Sequence, residues 1–234
     1  MQSSILTILN ENKSNFFPVL GTKLKKDDYC IMDLSVYNTE FEVIDIDSFD
    51  GLEAHINETL MDNYAKVGVG GYEENRPIYR KSDLYCEGGN APKRCIHLAI
   101  DCWTAADAKV FAPLDGTVHS FKNNNNPLDY GGTIILEHRL GGVFFYTLYG
   151  HLSAKSLEGL SVGMVIEKGK CFCRLGEPKE NGGWPPHLHF QLISDMLGMV
   201  GDFPGVSTEE QAPYYMNICP NPAVFFHELG NIGL

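Results

Sequence analysis

Four of the eight histidines in this chain fall in three short signatures: His97-Leu98-Ala99-Ile100-Asp101, Tyr149-Gly150-His151-Leu152-Ser153 and His187-Leu188-His189-Phe190. Imidazole and carboxylate together suit a borderline-soft divalent metal such as zinc. Two imidazoles and one carboxylate leave a coordination position open, and a water there is acidified to a pKa of about 7. The imidazoles left over titrate near neutrality, so they can take or give a proton beside that position. The residue types therefore point to metal-assisted hydrolysis. His55, His119, His138 and His227 have no partner at a useful spacing and read as surface or core residues.

These side chains converge only if the backbone brings them to one face. In Ile96 to Asp101 the apolar Ile96, Leu98 and Ile100 alternate with His97, Ala99 and Asp101. That period of two predicts a strand with His97 and Asp101 on the same face. A helix also brings positions i and i+4 together, as in HExxH sites, but no Glu follows His97 and the apolar residues do not recur at helical spacing. From His187 to Ile193 the same alternation sets both histidines against Leu188 and Phe190. Two strands can thus each aim two polar groups at a common point.

The stretch from about Arg94 to Ile193 resembles the catalytic domain of the lysostaphin/LytM-type zinc metallopeptidases. Beyond the histidines, the resemblance rests on Val110-Phe111-Ala112-Pro113-Leu114-Asp115-Gly116-Thr117-Val118, on Gly131 to His138, and on the turns around Gly163 and Gly169. The loop Asn181-Gly182-Gly183-Trp184-Pro185-Pro186 leads into the HLHF strand. Its wording is closest to a branch of the family in which this domain is fused to kinase-like and aminotransferase-like domains. The resemblance implies a mostly β fold, a folded antiparallel sheet of the duplicated hybrid motif type. It implies His97, Asp101 and His189 as ligands of Zn2+, and His151 and His187 as the unligated catalytic imidazoles. Spacing does not decide which of these two is the general base. Trp184 is the candidate for substrate contact. Ala99 stands where the family commonly has Gly, a small change. The implied activity is a metalloendopeptidase acting on glycine-containing or peptidoglycan-like peptides; the alternative is a silent domain that binds or regulates a partner. Silent members typically have lost ligands, and all five site residues are present here.

Bulk properties narrow the partners. A net charge of −12, from 18 basic and 30 acidic residues, repels nucleic acid and anionic wall polymers. That weakens a wall-degrading role and leaves room for a peptidase or amidase acting on smaller compounds. Seven irregularly spaced cysteines without a CxxC pair argue for reduced thiols. Met1 to Thr7 lacks a basic region and a long apolar core, so no signal peptide is expected, no membrane span is expected, and a cytoplasmic location is favoured.

Two regions are expected: an α+β N-terminal extension over residues 1–90, packed on the core, and a catalytic domain over 91–234. In the extension, helical spacing predicts a helix over 48–61 capped by Asp50, and Leu34-Ser35-Val36 and Phe41 to Ile46 look like strands. Core strands are predicted near 95–101, 109–113, 116–122, 132–138, 143–150 and 187–193, joined by Gly-, Asn- and Pro-rich turns. A turn and a short helix are expected near the C-terminus, from Cys219 to Phe226.

Overall fold

The computed structural model describes residues 2–46, 48–81, 85 and 93–229. In chain order the regular elements are α1 (Gln2–Asn12), β1 (Tyr29–Met32), α2 (Phe49–Asp62), β2 (Val67–Gly70), β3 (Ile96–His97) and β4 (Ile100–Trp103). There follow β5 (Lys109–Phe111), β6 (Gly116–Asn124), β7 (Gly131–Leu140), β8 (Val143–Leu152), β9 (Val165–Ile166) and β10 (Cys171–Arg174). The chain closes with β11 (His187–Ile193), β12 (Val206–Ser207), α3 (Ala212–Ile218) and a 3-10 turn over Pro222–Leu229.

Among the described residues eight strands form one sheet in the order β1-β2-β4-β11-β8-β7-β6-β9, in which only the β1–β2 pair is parallel. Mostly antiparallel β is therefore the architecture. One face carries the largest apolar cluster, in which Ile100, Cys102, Leu188 and Phe190 sit fully buried beside Ile134, Leu136 and Tyr149. Those are the residues whose alternation with the histidines marks the strands. Each buried Phe or Leu on this face contributes about 1.5–3 kcal/mol, enough to fix the register on which the site depends.

The register places the opposite face. His189 on β11 lies directly across from Asp101 on β4, and His187 lies across from Trp103. On the other flank of β11, His189 faces Gly150 of β8. Directly opposed residues share a face of the sheet, so Asp101 and His189 point the same way.

Several expectations differ from the fold. The strand foreseen over 95–101 breaks at Leu98 and Ala99 into β3 and β4. The two halves join different sheets, since β3 pairs with β12 and β4 with β2 and β11. Residues 34–36 and 41–46 form turns and a 3-10 segment rather than strands. Their apolar side chains, Leu34 and Ile46 among them, pack into a second core cluster from loops, so burial there does not signify extended chain. The second helix is capped by Ser48, whose hydroxyl accepts from Gly51 N at 3.0 Å, and Asp50 falls inside its first turn. The boundary expected between residues 90 and 91 lies outside the described residues. Among the described residues no helix is long and apolar enough to cross a membrane.

Candidate metal centre and active-site cavity

His97, Asp101 and His189 each offer one ligand atom, and these atoms all lie within 4.8 Å of one another. His97 Nε2 is 3.2 Å from His189 Nδ1 and 3.3 Å from Asp101 Oδ2, while His189 Nδ1 is 3.3 Å from Asp101 Oδ1. The three side chains are almost fully buried. The bend at Ala99 lets His97 leave its sheet and still meet Asp101.

Hydrogen bonds assign the tautomers. His97 Nδ1 donates to the Gly71 carbonyl at 2.9 Å, which leaves Nε2 unprotonated. His189 Nε2 donates to Gln191 Oε1 at 3.1 Å, which leaves Nδ1 unprotonated. Gln191 is itself held, because its Nε2 donates to the Pro204 carbonyl at 3.0 Å. Two unprotonated nitrogens and a carboxylate thus crowd one point, and Asp101 Oδ1 is buried with no hydrogen-bond partner. Converging acceptors repel one another, and a cation is the species that resolves this. The donor set of two imidazoles and one carboxylate fits zinc with one position left for water or substrate.

Charges agree. Burial pushes the His97 imidazole down to about 4, with the Arg76 guanidinium adding to the effect, so the ring is neutral at pH 7. Burial opposes the charge on Asp101, yet His97, Arg76 and His187 hold its carboxyl well below the usual range. A neutral imidazole and an ionised carboxylate are the forms a metal takes.

His187 and His151 stand beside the ligands. Their rings are 4.1 Å apart, and His187 Nε2 lies 3.9 Å from Asp101 Oδ1. Each has its Nδ1 hydrogen donated to a backbone carbonyl, Pro185 at 2.8 Å and Asn181 at 2.9 Å respectively. Both therefore keep Nε2 as an acceptor. Burial lowers His187 to about 4 and, with the neighbouring His187 and His189, depresses His151 well below its ordinary value. His187 also stacks on Trp103 at 3.9 Å.

His151 reaches the site by a backbone irregularity. Gly150 already faces His189, so the next residue of a regular strand would point to the other side. His151 instead takes φ 59°, in the left-handed region, and is turned back toward the metal ligands. Gly150 is required by close approach, since a Cβ there would come within 2.7 Å of the Tyr130 ring.

A cavity of about 410 Å³ opens over these groups, walled by Tyr79, Tyr85, Tyr130, Trp184 and Phe203 among others. Trp184 lines it but is only 5% exposed, standing edge-on to both His151 and His187. The loop that carries it is fixed by Asn181, whose side chain donates to the Gly176 and Trp184 carbonyls and accepts from the Gly183 and Trp184 amides. The aromatics of β8 stand away from the cavity: Phe145 and Tyr149 are in the core and Phe144 is exposed. Three residues had no signal in the sequence. Tyr130 Oη lies 3.4 Å from His189 Nε2, Gln191 fixes His189, and Arg76 donates to Asp101 Oδ2 at 2.5 Å.

Residues 95–198 match the family model described as peptidase family M23. That stretch is similar to the M23-type metallopeptidases, and His97, Asp101 and His189 within it form a cluster that could hold a metal ion. No curated protein matches the chain. Among solved structures, the catalytic domain of the antimicrobial peptidase lysostaphin from Staphylococcus simulans is 25% identical over 56% of this chain and 84% of its own, with a TM-score of 0.36. A protein described as an M23 peptidase from Pseudomonas aeruginosa is 20% identical over 56% of this chain and 43% of its own, with a TM-score of 0.37. A zinc-containing peptidase from Vibrio cholerae is 22% identical over 52% of this chain and 31% of its own, with a TM-score of 0.36. The chain thus spans less than half the length of the last two.

Proposed function

We propose that this domain binds zinc through His97, Asp101 and His189 and hydrolyses peptide bonds in short peptides, glycine-containing or peptidoglycan-derived ones among them. One observation carries the reading: three ligand atoms within 4.8 Å of one another meet two buried, neutral imidazoles at one cavity. When bound, zinc supplies Lewis acidity toward water and toward the scissile carbonyl. The chain's own residues do the rest. One of His151 and His187 accepts the water's proton at Nε2 and passes it to the leaving amine, and the other, on taking a proton from solvent at Nε2, would become the donor that steadies the oxygen of the tetrahedral species. Their Nδ1 bonds to backbone carbonyls hold both rings in the tautomer these tasks need. The Tyr130 hydroxyl, which donates to the Phe203 carbonyl at 3.1 Å, stands beside His189 and lines the cavity.

Cavity size and charge support a small substrate. About 410 Å³ lies at the small-molecule end of binding-site volumes and suits a few residues of peptide. A net charge of −12 disfavours an anionic polymer. The test is to incubate zinc-loaded protein with glycine-rich peptides, soluble peptidoglycan fragments, small amides and intact peptidoglycan, and to identify products by mass. Cleavage of short peptides is expected. Tight binding of a peptide with no product from any substrate would favour a silent binding module instead.

A further inference from the structure

The contacts that hold the first two metal ligands come from residues upstream of the matched 95–198. The Gly71 carbonyl accepts from His97 Nδ1. The Arg76 side chain, 1% exposed, donates from Nη1 to Asp101 Oδ2 and from Nε to Glu74 Oε2, each at 2.5 Å. Its Nη1 also lies 3.2 Å from the Tyr79 hydroxyl. Glu74 is anchored in turn, since its Oε1 accepts from Leu34 N at 3.0 Å. The backbone of this segment is tied to the ligand strand itself: Glu73 N donates to the His97 carbonyl, His97 N to the Glu74 carbonyl, and Arg76 N to the Cys95 carbonyl, all within 2.9 Å.

A guanidinium with no access to water is costly unless its N–H groups are used. Here the use has a geometric result. Arg76 occupies Oδ2 of Asp101, and Oδ1 is left buried and without a hydrogen-bond partner, 3.3 Å from His189 Nδ1. The bond to Oδ2 therefore fixes the carboxylate in one orientation, with Oδ2 3.3 Å from His97 Nε2 and Oδ1 turned to His189. Lysine could not do the same, because a single ammonium cannot span Glu74 and Asp101 with the rigid fork that Arg76 supplies.

We propose that Arg76 is a positioning residue of the metal centre, and that the segment Gly71–Tyr79 is an integral part of that centre rather than a detachable cover. The proposal rests on the reading of His97, Asp101 and His189 as metal ligands. Outer partners of metal ligands are worth about 10–100-fold in metal affinity. A salt bridge that served folding alone would move only the stability of the metal-free protein.

The experiment uses the full chain as wild type, Arg76→Met and Arg76→Lys. Zinc affinity is measured by competition with a chromophoric chelator, the cobalt-substituted proteins are compared by visible absorption, and the melting temperature of each metal-free protein is recorded. Arg76→Met is expected to bind zinc about 10–100-fold more weakly and to show an altered cobalt spectrum, because Asp101 is released from its fixed orientation. Arg76→Lys, which keeps the charge but loses one arm of the fork, is expected to fall between it and wild type. Wild-type zinc affinity and an unaltered spectrum in either folded variant would overturn the proposal. If Arg76→Met does not fold, Arg76→Lys decides by the same criterion. Failure of the wild type to bind zinc would instead sink the metal-ligand reading, so the two failures are distinct.

Discussion

At the scale of single residues, the division of labour follows from which ring nitrogen is left bare. His97 and His189 turn an unprotonated nitrogen toward Asp101 at 3.3 Å, while the Nε2 of His187 stands further off at 3.9 Å, and in the proposed reaction His151 and His187 use theirs for a proton. His151→Ala and His187→Ala are therefore expected to retain zinc while losing roughly 10²–10⁴ in turnover. Zinc content measured beside the rate checks both halves, and loss of the metal in either variant would show that a ligand has been misassigned. His97, Asp101, His187 and His189 were legible in the sequence because each sits in a local pattern, His-x-x-x-Asp or His-x-His, whose spacing sets a common face; His151 sits in neither and was marked only by the resemblance of its Tyr-Gly-His-Leu-Ser signature. Arg76, Tyr130 and Gln191 were not. Arg76 meets Asp101 across 25 residues and Tyr130 meets His189 across 59, so no local periodicity marks them. Gln191 shares the face of His187 and His189, yet glutamine two residues on reads as an ordinary polar strand position.

At the scale of elements, the site is built where regular strands are interrupted. The bend at Ala99 and the left-handed turn at His151 each re-aim one side chain. Gly205, in the chain leading to β12, supports the arrangement by being small: a Cβ there would land on the Tyr130 hydroxyl and come within 2.9 Å of His189 Cε1. Gly205→Ala is thus expected to displace Tyr130 and His189, weakening zinc affinity by about tenfold or more with little change in secondary structure. Chelator competition and circular dichroism check the two parts. β6, β7, β8 and β11 were readable as apolar runs bounded by Gly-, Asn- and Pro-rich turns, and β11, with its alternation, begins and ends where the pattern does. β2 was not readable, because Val67 to Gly70 is buried on both faces and half of it is glycine. Short β12 and the break at Ala99 depend on each other's pairing, and that information is not local.

At the scale of the whole molecule, the N-terminal region extends the catalytic sheet, since β2 pairs with β4 and β1 with β2. A chain trimmed to start near Lys93 exposes the edge of β4 and loses Gly71 and Arg76. It is expected to aggregate or to lose zinc, as judged by size-exclusion chromatography and metal analysis, and unchanged activity would separate the extension from the site. Acid sensitivity follows from a histidine far from the chemistry. His138 is buried, its Nδ1 bonded to the Asp115 carbonyl at 2.9 Å, and burial lowers it to about 4. Between that value and about 6.5 the unfolded chain binds a proton that the folded one does not, so stability is intact above about 6.5 and falls as pH drops toward 4. This one group accounts for up to about 3 kcal/mol over that window. In the metal-free protein, His138→Gln is expected to take up about one proton fewer on unfolding near pH 5, seen as a shallower dependence of melting temperature on pH. An unchanged slope would mean that His138 titrates normally.

The most direct test is the metal content of the wild-type chain beside His97→Ala, Asp101→Asn and His189→Ala, measured by elemental analysis after dialysis against zinc and removal of the excess. One zinc per wild-type chain and a deficit in all three variants is the expected result. A wild-type chain that retains no zinc, or a His189→Ala chain that keeps a full equivalent, would contradict the three-ligand centre.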